Sequence, residues 1–187
     1  AGGQMVIDLL ASRQIAFNGG VRLKSVDQEA KKLAFEGGGE AAFDLLVATP
    51  VHSVPGVLVA AGMAKEGGWV TVDRETMATP FPDVYAVGDA TAVPLANGMM
   101  LPKAGVFAHG EAEIVARNIA AEINGRQSDW AFGGQGACFL ETGFGKAAFA
   151  EGNFFAEPDP KVVVRSPSRF RRWQKLGFER TWLWRWF

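Results

Sequence analysis

An acidic residue directly follows an apolar run near the middle of the chain. The eleven residues from Thr79 to Asp89 (TPFPDVYAVGD) predict a buried strand over Val84–Val87 that ends at Gly88 and Asp89. Open α/β sheets bind their ligands at the carboxyl ends of strands. A glycine lets the backbone approach a ligand closely, and a carboxylate accepts hydrogen bonds from hydroxyl groups. The stretch therefore predicts a site for a polyol, and the alternative is a buried strand that ends at a capping Asp.

A second candidate lies fourteen residues after Asp89, at Leu101-Pro102-Lys103-Ala104-Gly105. Proline is favoured in the first turn of a helix, so Pro102 predicts a helix start. The helix is predicted to continue to Ile123, with Val115, Ile119 and Ile123 on one stripe and Gly125 as its carboxyl-terminal cap. The first turn of a helix presents unpaired N–H groups and a partial positive charge, which suits a negatively charged ligand. Lys103 either adds to that charge or is an ordinary solvated lysine.

Cys138 is the only cysteine, which excludes an internal disulfide framework and a multi-cysteine metal site. A thiol is nucleophilic as the thiolate, and a free cysteine is otherwise commonly a small buried hydrophobe, so both roles stay open. The two histidines are weaker candidates. We expect His52 to be structural or solvated and His109 to be a partly exposed helix residue, because no zinc-type spacing and no Ser/His/Asp arrangement includes them.

The elements that must position these residues alternate between strands and helices, which predicts an α/β fold. A helix is predicted to end at Ser12, and Gly37–Gly39 is assigned as a hairpin turn because it precedes a strand and not a helix. The other predicted elements are strands at Val21–Val26, Lys31–Phe35, Ala42–Ala48 (buried on both faces) and Gly68–Asp73, a helix at Val57–Met63, and strands at Cys138–Leu140, Ala147–Ala150 and Lys161–Val164.

The overall composition is that of a globular protein. The 187 residues are 48% hydrophobic and 21% charged, which excludes wholesale disorder. No apolar run reaches the roughly 18–20 residues that a transmembrane helix needs. The composition changes abruptly at the end, where Lys161–Phe187 holds eight basic residues, one acidic residue and four of the six tryptophans.

We interpret this closing segment as a surface for a membrane. Trp and Phe alternate with Arg at helical spacing, which fits a membrane surface better than nucleic acid. The predicted helix places Trp173, Phe178 (or Gly177), Trp182 and Trp186 near one face. The alternative is that these side chains pack against the body of the protein or against a second subunit.

Several of these stretches resemble known flavoprotein motifs. Thr79–Asp89 resembles the second FAD-binding motif of pyridine nucleotide-disulfide-type oxidoreductases, in which the final Asp holds the ribityl chain. Phe43–Pro50 (FDLLVATP) resembles the shorter motif at which the chain rejoins the flavin domain, with Pro50 in place of the usual Gly. Three further stretches resemble the sulfide:quinone oxidoreductase group: Leu101–Phe107 (LPKAGVF), Gly136–Gly143 (GACFLETG) and Phe178–Phe187 (FERTWLWRWF). Taken together, the resemblance runs over nearly the whole chain.

The resemblance implies the carboxyl-terminal part of a two-dinucleotide-binding-domain flavoprotein, with a small α+β segment at its end. It implies FAD as cofactor, NAD(P)H or a quinone as co-substrate, and Cys138 as a catalytic redox cysteine. The residues that it implies as cofactor contacts are Thr49, Pro50, Gly88, Asp89, Pro102, Lys103, Ala104 and Gly105. We expect residues 1–49 to end a nicotinamide-binding-like domain, residues 50–129 to be the second half of the FAD domain, and residues 130–187 to serve dimerisation or membrane association.

The implied activity is transfer of electrons from sulfide or another reduced sulfur compound through FAD to a quinone. A type II NADH:quinone oxidoreductase-like enzyme and a non-catalytic interaction or membrane-docking module are the alternatives. Phe139 stands where the sulfide enzymes usually carry Pro, which leaves the electron donor open. We expect a homodimer, cytoplasmic or peripheral on a membrane through residues 169–187, with no nucleic-acid partner.

One part of the family pattern does not occur in this sequence. The Gly-x-Gly-x-x-Gly turn that binds the FAD pyrophosphate follows no predicted strand, and Gly133-Gly134-Gln135-Gly136 precedes a strand instead. We therefore expect the chain alone to bind FAD weakly or not at all.

Overall fold

The computed structural model describes residues 2–187, which divide into two units at the boundary between His52 and Ser53. The first unit begins with helix α1 (Gly2–Ser12), which confirms the predicted opening helix. A three-stranded antiparallel sheet follows, with the order β1 (Leu23–Asp27), β2 (Lys32–Phe35) and β3 (Glu40–Ala42). Gly37, Gly38 and Gly39 join β2 to β3 with φ angles of 86°, 98° and 97°, which other residues rarely adopt. The predicted hairpin turn is confirmed.

The predicted buried strand Ala42–Ala48 is wrong. Strand β3 ends at Ala42, and the next residues are outside any strand. Leu45 and Val47 are 82% and 88% exposed. A strand buried on both faces needs hydrogen-bonded neighbours in a covered sheet, and no strand of residues 2–187 pairs with residues 43–48. An apolar run is therefore not sufficient to form the strand.

The second unit, Ser53–Phe187, is built around one apolar core. Helix α2 (Gly56–Ala60) and the short parallel strands β4 (Val70–Thr71) and β5 (Thr91–Ala92) lie at its start, and Val70 is paired with Thr91. The buried core residues are Val54, Val70, Val72, Met77, Val93, Leu95, Leu101, Phe107 and Phe132. The ring of Phe107 meets those of Phe132 and Phe154 edge to face, with centroids 6.5 Å and 4.9 Å away.

The prediction of a regular strand over Val84–Val87 is also wrong, because the segment forms only an isolated bridge. A single antiparallel bridge joins Ala78 to Tyr85, and the hydrogen bonds Thr79 N–H to Val84 O (3.0 Å) and Ala86 N–H to Met77 O (3.1 Å) flank it. Pro80 and Pro82 have no N–H to donate, and Asp83 has a φ of 60°. The segment therefore closes into a tight loop, and its end is half-buried.

Helix α3 (Gly105–Ile123) begins three residues later than predicted. Ala104 occupies the N-cap position, so Pro102 precedes the helix and does not lie in its first turn. The predicted cap is confirmed, because Gly125 has a φ of 63° and Arg126 N–H and Gly125 N–H bond to the carbonyls of Ala121 and Glu122.

The predicted apolar stripe of α3 is only partly buried. Val115 packs against the core, whereas Ile119 and Ile123 are exposed. The core lies against the first half of the helix, where Phe107 and Glu111 are the buried residues.

The three strands predicted after residue 130 are confirmed and are longer than expected. They are β6 (Gln135–Gly143), β7 (Lys146–Asn153) and β8 (Lys161–Ser168), which form an antiparallel sheet in that order. Helix α4 (Arg169–Trp186) follows directly, and the Ser168 side chain caps it by accepting the Arg171 N–H at 3.1 Å.

The aromatic residues of α4 divide between two faces. Phe178, Trp182 and Trp186 form a contiguous row against the body, with Phe178 6.2 Å from Phe139. Trp173 is exposed, so its predicted place on that face is wrong. Among residues 2–187, the structure contains no helix with the length and apolarity required to span a bilayer.

Gly136 lies where β6 packs against Phe107 of α3. A Cβ at this position would overlap the ring of Phe107, which is buried and held by its aromatic neighbours. We therefore expect Gly136→Ala to lower the free energy of unfolding by about 1–3 kcal/mol through overpacking. Gly133→Ala is the matched control, because a Cβ there meets no atom within 4 Å. Urea unfolding measures both variants, and equal midpoints would contradict the close approach.

Candidate functional site

Three segments of the second unit converge at the start of α3. The first is the single 3-10 turn Gly88–Ala90, here called the Gly88 turn. The others are the segment Leu101–Ala104 and the first two turns of α3, and together they line a shallow depression. Asp89 and Lys103 are thus brought together, because the Lys103 Nζ donates to the Asp89 carbonyl oxygen at 2.7 Å. Pro102, Ala104 and Gly105 belong to the same converging segments. Their contact with a ligand stays a prediction.

Gly88 is required by its backbone and by its neighbour. Its φ is 68°, and a Cβ at this position would lie 3.1 Å from the Ala108 Cβ. The glycine therefore allows α3 to approach the turn, in addition to any approach of a ligand. Asp89 follows it and is exposed.

Lys103 is tied to the protein backbone and is not simply a solvated lysine. Its Nζ donates to the Asp89 and Thr91 carbonyl oxygens at 2.7 Å and 2.8 Å, and it lies 3.6 Å from the centroid of the Trp69 ring. Burial lowers the pKa of Lys103, while the charges of Asp89 and Glu111 act in the opposite direction. The ammonium group therefore fastens the Gly88 turn to the segment that leads into α3.

Glu111 is a buried residue of the site that the sequence analysis did not identify. Its side chain is on the second turn of α3, the residue is 2% exposed, and one carboxylate oxygen accepts the Gly88 N–H at 2.6 Å. Burial raises the pKa of Glu111, opposed by the hydrogen bond from Gly88 and the charge of Lys103. A signal was present in the sequence, since Glu111 lies one helical turn from both Phe107 and Val115 and so interrupts a buried apolar stripe with an acid.

The first turn of α3 has an open amino-terminal end. Ala104 has no side chain that can accept a hydrogen bond, so the N-cap position provides no side-chain cap. The amides at Gly105 and Val106 therefore supply donors and the partial positive charge of the helix end.

Cys138 is exposed in β6, so the alternative of a buried structural cysteine is wrong. Side chains alternate along a strand, which places Cys138 on the same face as Gly136, the residue that contacts Phe107 of α3. This face is the one that β6 turns toward the start of α3.

The remaining sequence candidates lie elsewhere. Thr49 and Pro50 belong to the first unit, where both are exposed and outside any helix or strand, and His52 is exposed at the end of that unit. His109 is half-buried on α3, with its ring 4.8 Å from that of Trp182 and 5.2 Å from that of Trp186. It is a packing residue between α3 and the end of α4.

A second cavity, of about 320 Å³, lies between the β6–β8 sheet and the start of α4. Its wall combines aromatic rings with hydrogen-bond donors. The lining residues are Phe139, Phe149, Glu151, Arg165, Phe170, Arg171 and Gln174. Arg165 is paired with Glu151 across the strands.

Comparison with known proteins identifies relatives of this arrangement. No family model matches the chain. The mitochondrial sulfide:quinone oxidoreductase of Schizosaccharomyces pombe is 31% identical over 132 residues, which are 70% of this chain and 27% of that protein. The enzyme of the same name from Mus musculus is 28% identical over 117 residues, which are 62% of this chain and 25% of that protein. The chain thus spans about a quarter of the length of these relatives.

A solved structure shows the same fold. The sulfide:quinone oxidoreductase of Aquifex aeolicus superposes with a TM-score of 0.81 and 24% identity, over 97% of this chain and 44% of that one. The chain therefore has the α/β fold of that oxidoreductase. More particularly, it is sulfide:quinone oxidoreductase-like and corresponds to the carboxyl-terminal region of such a protein, as the resemblance of its motifs predicts.

Proposed function

We propose that this chain, within its full-length protein, forms part of the flavin site of an oxidoreductase that passes electrons from sulfide or another reduced sulfur compound to a quinone. The observation that carries the proposal is the convergence of the Gly88 turn, Lys103 and the open end of α3. The proteins that share its sequence pattern are named sulfide:quinone oxidoreductases.

The residues at this place fit one part of FAD. The exposed Asp89 can accept hydrogen bonds from the ribityl hydroxyls, and the amides at Gly105 and Val106 favour negative charge on the ring. Backbone atoms of Pro102 and Ala104 would line the same edge. FAD when bound would store the two electrons that the donor releases. The chain's own residues bind, orient and electrostatically stabilise it.

We assign Cys138 as the thiol that meets the sulfur donor. It is exposed, and it lies on the face of β6 that contacts the first turn of α3. Oxidation of sulfide to zero-valent sulfur releases two electrons, which is the number that a flavin accepts. A second cysteine of the full-length protein would complete the redox pair, as the resemblance implies.

The second cavity suits a quinone ring. Phe139, Phe149 and Phe170 offer aromatic faces, and Arg171 and Gln174 offer donors to carbonyl oxygens. Phe139 lies on the opposite face of β6 from Cys138 and is three positions from Gly136 along the strand, a distance of about 10 Å. Donor and acceptor would thus be on the two faces of one strand.

The outer face of α4 supports attachment to a membrane surface. Trp173 and Trp184 are exposed, the latter to 86%, and they lie at helical spacing on the side away from Phe178. Arg169, Arg172 and Arg180 add positive charge, and each basic residue near an anionic bilayer contributes about 1 kcal/mol. Contact with a second copy of the protein is the alternative for this face.

The flavin contact is tested with Asp89→Ala in the full-length protein. We expect FAD to bind at least about tenfold more weakly, because a charge-assisted hydrogen bond contributes about 1.5–3 kcal/mol. Fluorescence titration of the apoprotein with FAD measures the affinity. Asp129→Ala is the control, since Asp129 is an exposed acid of the second unit outside the motif. Wild-type affinity in Asp89→Ala would remove Asp89 from the site, and a wild type without flavin would favour a non-catalytic module.

The role of Cys138 is tested by following flavin reduction with sulfide. We expect Cys138→Ser to abolish sulfide-dependent reduction while FAD remains bound, because a hydroxyl does not form the thiolate nucleophile. Reduction by dithionite is the control for an intact flavin. If sulfide reduces the variant at the wild-type rate, Cys138 is not the acceptor. Reduction by NADH instead would favour the type II NADH:quinone oxidoreductase alternative.

The membrane role is tested with the double variant Trp173→Gln and Trp184→Gln. We expect cosedimentation with anionic phospholipid vesicles to fall several-fold, and binding by the wild type to weaken as salt is raised. Trp130→Gln is the control, because Trp130 is an exposed tryptophan outside α4. Unchanged vesicle binding by the double variant, with loss of self-association, would assign the outer face of α4 to a dimer.

A further inference from the structure

Glu111 has no counterpart among the residues that the flavin motifs single out, yet it is the most deeply buried charged side chain in contact with the Gly88 turn. We propose that Glu111 is a positioning residue for the flavin site: its carboxylate holds the Gly88 amide and thereby fixes the orientation in which Asp89 meets the ribityl chain. This inference rests on the proposed function of the site.

The backbone of the Gly88 turn needs an external support. Glycine populates both signs of φ readily, so the φ of 68° at Gly88 is not fixed by the residue itself. The peptide that precedes Gly88 carries the Gly88 N–H, which donates a hydrogen bond to Glu111 at 2.6 Å. This hydrogen bond restrains the plane of that peptide. Asp89 is the next residue, so a rotation at Gly88 would move its carboxylate.

Other side chains hold the carbonyl groups of the turn. The Gly88 carbonyl oxygen accepts the Thr91 hydroxyl at 2.8 Å, and the Asp89 carbonyl oxygen accepts the Lys103 Nζ at 2.7 Å. Glu111 thus supports the turn from α3 itself. It lies three residues beyond Ala108, which is the residue of α3 against which Gly88 packs. The amide and carbonyl groups of the turn are restrained together.

The burial of Glu111 is costly for a residue with a purely structural role. Burial raises its pKa, which means that the ionised form is disfavoured by its surroundings. An apolar side chain of similar volume would avoid this cost, as replacements of buried charges show elsewhere. The hydrogen bond from the Gly88 N–H, together with the charge of Lys103, offsets this cost, and Gly88 is the residue directly before Asp89.

The test uses the full-length protein with two substitutions at one position. Glu111→Gln retains a carbonyl oxygen that can accept the Gly88 N–H, whereas Glu111→Leu fills the space and accepts nothing. We expect FAD to bind Glu111→Gln within about threefold of the wild type and Glu111→Leu at least about tenfold more weakly. Glu113→Leu is the matched control, because Glu113 is an exposed acid on the same helix that faces His109. Fluorescence titration gives the affinity, and circular dichroism melting of the apoproteins checks folding.

A double-mutant cycle separates orientation of Asp89 from a general loss of structure. In an Asp89→Asn background, where the ribityl contact is already weakened, Glu111→Leu should cause less than about a threefold further loss of FAD affinity. The full tenfold loss in that background would overturn the proposal, because the effect would not run through Asp89. Wild-type affinity in Glu111→Leu would also overturn it. If the wild type and all variants bind no FAD, it is instead the proposed function that fails.

Discussion

The close approach of α3 to the Gly88 turn is the constraint on which the site depends. It requires glycine at position 88, a small residue at Ala108, and side chains that reach back from Lys103 and Glu111. The same contacts reach the core, because the Thr91 carbonyl that accepts from Lys103 belongs to β5, and β5 is paired with buried Val70 of β4. A change in the position of α3 would therefore move the turn, the parallel strand pair and the core together, so the site is positioned by close packing and not by a loop.

Strand β6 extends that constraint to the rest of the unit. Gly134, which precedes the strand by one residue, and Gly136 within it leave no room for a side chain, since a Cβ would overlap Phe155 at the first position and Phe107 at the second. The aromatic rings can therefore lie directly on the strand backbone. On the other face, Phe139 packs against Phe149 and Phe178 of α4. One strand thus fixes the distance from α3, on one side, to the aromatic row of α4, on the other.

The sequence predicted the elements that local signals determine. Gly125 ends α3, Gly37–Gly39 forms a turn, and the β6–β8 strands occur where alternation indicates them, because a cap, a positive φ and a two-residue period are properties of short segments. It failed where the outcome depends on distant partners. The run Ala42–Ala48 is apolar enough for a buried strand, but beyond Ala42 it is paired with no strand within residues 2–187. The segment Val84–Val87 is limited by the prolines that precede it. Within the site, the motif residues Gly88, Asp89 and Lys103 were predicted to lie near the same ligand. Glu111 was not predicted, because it is 23 residues from Gly88 and only the fold brings the two together.

The placement of Lys103 changes the electrostatic account of the site. A lysine in a sequence motif beside a helix end suggests a mobile charge that a ligand recruits. Here two carbonyl oxygens and the face of Trp69 already surround the ammonium group, so its charge is fixed in position before any ligand binds. A fixed charge does not need to reorganise when negative charge develops nearby, so it stabilises that charge without a reorganisation cost. The open end of α3 adds backbone dipoles, which are equally fixed. The carboxylates of Asp89 and Glu111 have different roles: that of Asp89 is exposed and available to hydroxyl groups, whereas that of Glu111 is buried and bound to the backbone.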